Sequence, residues 1–130
     1  MGLFGPSKSN VLCVDDSEEI QSLIKLFLSE AGYRVTQAMS GREALELAEK
    51  SKPDLILMDI YMKGMDGIAA CAELKKNPKL ASIPVVMCTA LSLLKDINRA
   101  FAAGASDYIT KPIDKKVLLE KIEKYILKKG

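Results

Sequence analysis

Residues 55–58, Leu-Ile-Leu-Met, run without a polar break and stop at Asp59. So short an apolar run, entered through Pro53-Asp54, reads as a β-strand with no polar side to turn toward solvent. Such a strand needs cover on both faces, which is the condition of a parallel sheet between layers of helices. Asp59 then lies at the strand's C-terminal end, where open α/β sheets bind their ligands. Ile60 to Gly67 follow, with two glycines, and read as a loop. A carboxylate there is placed for chemistry, although a plain turn cap would use the same residue.

The rest of the chain alternates in the same way. Asn10–Val14 is a short apolar strand ending at Asp15-Asp16. Ser17 to Ala31 carries Ile20, Leu23, Ile24, Phe27, Leu28 and Ala31 at helical spacing, with Leu26 off that face and Gly32 as the stop. Tyr33–Ala38 alternates as an edge strand. Ser40 caps a helix over Gly41–Lys50, with Ala44, Leu45 and Ala48 inward and Glu43 completing a capping box. A third helix spans about Gly67 to Lys76 and uses Ile68, Cys71, Ala72 and Leu74. Pro84–Thr89 is a fourth strand. Leu93–Ala103 is a fourth helix with Leu94, Ile97, Ala100 and Phe101 inward and Gly104 as its stop. Asp107–Thr110 is a short fifth strand ended by Lys111-Pro112. Asp114–Leu127 is the last helix, with Val117, Leu118, Ile122, Tyr125 and Ile126 inward. Five strands alternating with five helices predict one α/β domain, a (βα)5 doubly wound parallel sheet. The domain is expected over 10–130, after a flexible lead-in over 1–9.

Composition narrows the function. The net charge of +2 gives no electrostatic case for nucleic acid, and no stretch is long and apolar enough to span a membrane. Residues 110–130 hold seven lysines against three acids, so the last helix is basic; that is a solvated lysine face or a contact for an acidic partner. Cys13, Cys71 and Cys88 are odd in number, two of them inside apolar runs. They read as reduced, buried residues of a cytoplasmic protein, not as a disulfide framework or a metal site. The chain has no histidine, so it is neither a histidine kinase core nor a histidine phosphotransfer protein.

If the strands are parallel, one sheet edge collects Asp15, Asp16, Asp59, Thr89 and Lys111. Each has an ordinary reading: Asp16 or Ser17 as a helix cap, Asp15 as a turn residue, Thr89 as a strand end, Lys111 as a surface lysine. Together they make a chemical group. Three clustered carboxylates repel one another unless their pKa values rise or a cation holds them. Oxygen ligands beside solvent suit Mg²⁺, which keeps several waters and bridges to phosphate. A lysine and a hydroxyl around a carboxylate then form a site for phosphoryl transfer, with the carboxylate as nucleophile and an aspartyl phosphate as product.

These residues carry a resemblance. Asp15-Asp16 after strand one, Asp59 within Leu-Met-Asp-Ile, Met65-Asp66-Gly67, Thr89-Ala90 and Lys111-Pro112 follow one another in order over residues 10–128, and the chain resembles the CheY-like receiver domains of response regulators. The resemblance implies a flavodoxin-like sheet of order 2-1-3-4-5 with the site at its switch point. It implies that Asp59 accepts a phosphoryl group from a phosphohistidine on a sensor histidine kinase or histidine phosphotransfer protein. Asp16, Asp59, the backbone carbonyl of Tyr61 and, directly or through water, Asp15 would hold Mg²⁺. Lys111 would pair with Asp59 and then with the phosphoryl oxygens. Thr89 would hydrogen-bond that group, Tyr108 would be the aromatic switch behind Thr89, and the Lys111-Pro112 bond would be cis. The family usually has proline after the phosphoacceptor where this chain has Met62-Lys63-Gly64, which predicts a more mobile loop.

Tyr61 and Leu91 lie two residues beyond Asp59 and Thr89 and are expected to tune dephosphorylation, slowing it because both are bulky and Leu91 cannot orient water. Phosphorylation is expected to switch a protein-binding surface of helix 4, strand 5 and helix 5, including Leu93, Lys95, Arg99, Tyr108 and the last helix's lysines, for a downstream effector protein. The chain reads as a stand-alone receiver, monomer or weak homodimer; the alternatives are a receiver taken from a longer multidomain regulator or hybrid kinase, and a flavodoxin-like cofactor carrier. The last would want a Ser/Thr/Gly-rich phosphate loop where Asp15-Asp16 stand.

Overall fold

The computed structural model of the protein describes residues 9–90 and 94–129. Most of the expected lead-in, together with Leu91 and Leu93, lies outside the described residues. The strands are β1 (Asn10–Val14), β2 (Arg34–Ala38), β3 (Leu55–Asp59), β4 (Val85–Thr89) and β5 (Asp107–Thr110). Between and after them come α1 (Glu18–Glu30), α2 (Gly41–Ser51), α3 (Gly67–Lys76), α4 (Leu94–Ala102) and α5 (Lys115–Lys129). All strand pairs are parallel, in the order β2-β1-β3-β4-β5.

Strand periodicity divides the core in two. Leu12, Val14, Ile56, Met58, Val85 and Met87 point to one face, where Ala44 and Ala48 of α2, Cys71 and Leu74 of α3 and Ala100 of α4 cover them. Val11, Cys13, Leu55, Leu57, Val86, Cys88 and Ile109 point to the other, under Ile24 and Leu28 of α1 and Leu118 and Ile122 of α5. Every residue of β3 and β4 is buried, as an unbroken apolar run demands. All three cysteines are buried and unpaired.

The helix ends follow the expected chemistry, with one change. Ser17 caps α1, accepting the Ile20 N–H, and Asp66 caps α3, accepting the Ala69 N–H. Ser40 caps α2 by accepting the Glu43 N–H at 3.1 Å, but Glu43 returns its carboxylate to the Met39 N–H at 2.7 Å, one residue before the Ser40 N–H a capping box would use.

Several inward assignments are corrected. Leu94 is 71% exposed and Phe101 44%, whereas Asp96 and Ala100 are buried. Ala100 is buried as expected and Ile97 is half-buried, but the step from 96 to 100 faces the sheet, so Leu94 and Phe101 turn outward and the paired Asp96 carboxylate takes an inward place. In α5 Leu118 and Ile122 form the buried row and Val117, one residue off it, is exposed. Ala31 is the exposed C-cap of α1, and α3 buries Ala70 where Ala72 was expected. Leu26 is exposed, as its place off the apolar face predicted.

Candidate functional site

Strand register assembles the site. Val14 is paired with Met58, so Asp15 comes level with Asp59. Asp59 is paired with Cys88, which brings Thr89 beside it, and Thr89 is paired with Thr110, which delivers Lys111. Gly67 lets the following loop fold back onto the strand tip: its N–H donates to the Ile60 carbonyl at 2.8 Å, and a Cβ there would stand 2.0 Å from the Asp59 carbonyl oxygen. Gly64 turns the same loop at φ +77°, a left-handed conformation that glycine takes without strain.

Asp15, Asp16 and Asp59 each place a carboxylate oxygen within 4.8 Å of the others. Asp15 and Asp59 are buried; Asp16 is exposed. The Lys111 Nζ lies 2.9 Å from Asp15 Oδ2 and 3.5 Å from Asp59 Oδ1. Lys111 was expected to pair with Asp59; it bridges both acids and sits closer to Asp15. The other Asp15 oxygen accepts the Ser17 N–H at 2.8 Å, so Asp15 fills its ordinary turn role as well. Asp16 Oδ2 accepts the Lys63 N–H at 3.4 Å.

Thr89 is fully buried, and its carbonyl accepts the Lys111 N–H at 2.8 Å. The Lys111-Pro112 bond is cis. Tyr108 is half-buried, edge-on to Phe101 with ring centroids 6.3 Å apart, and the Lys121 Nζ stands 5.4 Å from its ring centroid. Tyr61 donates its hydroxyl to Asp96 of α4, and its backbone N–H faces the Asp59 carboxylate and favours its charged form. Leu91 lies outside the described residues.

The electrostatics follow from burial beside like charge. Burial lifts the Asp59 carboxyl from 3.8 to about 6; the Lys111 charge opposes this, the Asp15 charge adds to it, and the hydrogen bonds from Tyr61 and Lys111 oppose it. For Lys111 burial alone would lower the ammonium pKa, but the hydrogen bond to Asp15 and the charges of Asp59 and Asp15 outweigh it, and the value rises. The nearby thiols take no part: burial pushes Cys88 up to about 12 and also raises Cys13. The cluster therefore offers carboxylate oxygen and no thiolate, a hard donor set that fits Mg²⁺.

Two residues behind the site were missed. Gln21, buried on α1, holds Nε2 3.1, 3.0 and 2.9 Å from the carbonyls of Cys13, Asp15 and Ala38, which share its two N–H donors, and so ties down the end of β1. Asp96 is buried in the first turn of α4, with Tyr61 and Arg99 as partners. The one signal available was a polar residue inside each helix's apolar stretch.

Similarity to known proteins agrees with this geometry. The family model described as "Response regulator receiver domain" matches residues 11–123. The chain is 38% identical over 112 residues to the DNA-binding dual master transcriptional regulator RpaA of Synechocystis, aligning 86% of this chain but only 46%, about half, of that protein's length. It is 36% identical over 114 residues to Protein PilH of Pseudomonas aeruginosa, covering 88% of this chain and 94% of PilH. Among solved structures, the receiver domain of the sensor histidine kinase PA1611 from Pseudomonas aeruginosa, crystallised with a magnesium ion in its active-site cleft, superposes with a TM-score of 0.86 at 31% identity, over 92% of this chain and 98% of that one. The flavodoxin-like cofactor carrier gives way, since acidic Asp15-Asp16 stand where such a carrier needs its phosphate loop. By family model, relatives and fold alike, the chain belongs to the response regulator receiver domains of two-component signalling.

Proposed function

We propose that Asp59 is the phosphoacceptor and that its phosphorylation, with Mg²⁺, switches a protein-binding surface. The observation that carries this reading is Lys111 bridging two buried carboxylates, Asp15 and Asp59, at the tips of the central strands. An Asp59 oxygen forms the bond to phosphorus as the N–P bond of a phosphohistidine on the partner breaks; the leaving imidazole carries the electron pair and takes up a proton. Lys111 neutralises charge on the transferred group, and the Thr89 hydroxyl offers a donor. Asp16, Asp59 and the Tyr61 carbonyl are the proposed ligands of the metal, with Asp15, held by Ser17 and Lys111, direct or through water. The bound ion would neutralise charge on the phosphoryl oxygens.

The partner on the input side is a sensor histidine kinase or a histidine phosphotransfer protein. The output side is a protein effector meeting α4, β5 and α5, where Leu94 and Phe101 are exposed, Phe101 meets Tyr108 edge-on and Lys121 of α5 stands over the Tyr108 ring. That face serves equally in a stand-alone receiver and in one joined to further domains. The chain acts as a phosphoryl acceptor that assists its own phosphorylation and dephosphorylation, not as a turnover enzyme. A cytoplasmic site of action suits a partner carrying phosphohistidine; among the described residues no helix is long and apolar enough to cross a membrane.

The test is intact-mass analysis after incubation with a small acyl-phosphate donor, with and without Mg²⁺, on the wild type and Asp59→Asn. A Mg²⁺-dependent gain of one phosphoryl group, lost in the variant, is expected. Equal labelling of Asp59→Asn would place the acceptor elsewhere.

A further inference from the structure

Tyr61 links the phosphoacceptor strand's end to α4. Its backbone N–H meets Asp59, and its hydroxyl meets the Asp96 carboxylate in the first turn of α4. The ring therefore spans from the loop after β3 to α4. Tyr61 itself is 43% exposed, so packing alone does not fix its ring. Asp96 is only 5% exposed, and a buried carboxylate is costly unless it is paired. Its pairing is met on one side by Tyr61 and on the other by Arg99 Nη1 at 3.3 Å. Its place in the first turn of α4 also suits a negative charge, because the free N–H groups of a helix start favour anions. The carboxylate is thus fixed in α4 before it fixes the tyrosine.

We propose that Asp96 is a positioning residue: by holding the Tyr61 hydroxyl it keeps the ring across the edge of the phosphoacceptor site and slows attack by water on phosphorylated Asp59. The inference rests on Asp59 being the phosphoacceptor. In that hydrolysis the water oxygen forms a bond to phosphorus, the bond from phosphorus to the Asp59 oxygen breaks, the carboxylate leaves with the electron pair, and the water's proton goes to solvent. A ring tethered at its hydroxyl narrows the approach to phosphorus; a ring released from Asp96 turns away and opens it. The same bond joins the site to α4, so whatever shifts α4 also alters the tether, as linkage requires.

The experiment compares decay of the phosphorylated protein, prepared with a small acyl-phosphate donor and Mg²⁺ and followed by intact mass, for the wild type, Tyr61→Phe, Asp96→Ala, Asp96→Asn and the Tyr61→Phe/Asp96→Ala double variant. Tyr61→Phe and Asp96→Ala are expected to decay faster by about three- to tenfold, the rate equivalent of one hydrogen bond. Asp96→Asn keeps an acceptor oxygen and is expected to stay within about twofold of wild type. The double variant is expected to decay no faster than the faster single variant, because both remove one interaction. Hydrogen exchange of α4 amides in the unphosphorylated protein gives a readout independent of phosphate, and it is expected to quicken in Tyr61→Phe. Unchanged decay in both single variants, or single effects that multiply in the double, would overturn the proposal. A wild-type protein that takes no phosphoryl group on Asp59 would instead overturn the phosphoacceptor reading, and this inference with it.

Discussion

Replacing Asp59 by asparagine is expected to stabilise the metal-free protein at alkaline pH and to do so less in acid. Asp59 ionises at 3.8 when unfolded and at about 6 in the fold. Between those values the folded state holds more protons than the unfolded state, so stability falls as pH rises through the interval. Below 3.8 both states are protonated and the penalty is absent; above about 6 it is present in full. At 1.36 kcal/mol for each tenfold in acidity, the full penalty is about 3 kcal/mol. Solvent at the outer edge of the site screens part of this, leaving about 1–2 kcal/mol. Asparagine has nearly the same shape and no charge at any pH. Urea denaturation in a chelator, at pH 8 and pH 4.5, should show Asp59→Asn more stable than wild type by that amount in alkali and by less than half as much in acid. Added Mg²⁺ should then stabilise the wild type and raise the variant much less, because binding to the folded state alone adds stability by mass action. An Asp59→Asn protein less stable than wild type at pH 8, or a gap of equal size at both pH values, would refute the electrostatic argument.

Lys111→Ala leaves the buried Asp15 and Asp59 facing each other without their shared cation and should cost about 2–4 kcal/mol in urea denaturation at pH 8, partly restored by Mg²⁺. It should also slow labelling by a small acyl-phosphate donor in intact-mass analysis. Gly67→Ala puts a Cβ against the Asp59 carbonyl with backbone on the opposing side, so the loop must move; a loss of about 2 kcal/mol or more in thermal melts is expected, together with weaker Mg²⁺ binding. Gln21→Leu strips the Nε2 donor from three buried carbonyls and should cost about 1–3 kcal/mol, with calorimetric Mg²⁺ affinity falling because Asp15 is no longer anchored. Leu26→Gln, on an exposed position of α1, should stay within about 0.5 kcal/mol of wild type.

The alternation of short apolar runs with helical stretches was enough to specify the architecture, because a strand without a polar side can be buried only between two layers of helices. The carboxylate, hydroxyl and lysine at the strand ends were legible for the same reason: in a parallel sheet, each strand's last residue comes to one edge. Asp15, Asp59, Thr89 and Lys111 do meet there, and Asp16 stands beside them. Helix faces were harder to read. In α4 an apolar stripe at 94, 97 and 101 and a narrower row at 96 and 100 compete, and periodicity does not say which meets the sheet.

The sequence by itself determined the order of elements, the two-sided core and the set of groups at the site, since these follow from local polarity and from the geometry of strands and helices. Only the tertiary structure decided that Lys111 leans toward Asp15, that Gln21 anchors the end of β1, and that Tyr61 reaches Asp96. Those contacts join residues 96, 17 and 35 positions apart in their longest spans; the first depends on how the strand-end loops settle over the sheet edge, the other two on how α1 and α4 rotate against it. Rotation is set by the fit of whole side-chain layers and by the need to pair every buried charge, and neither can be evaluated until the chain has brought distant segments together.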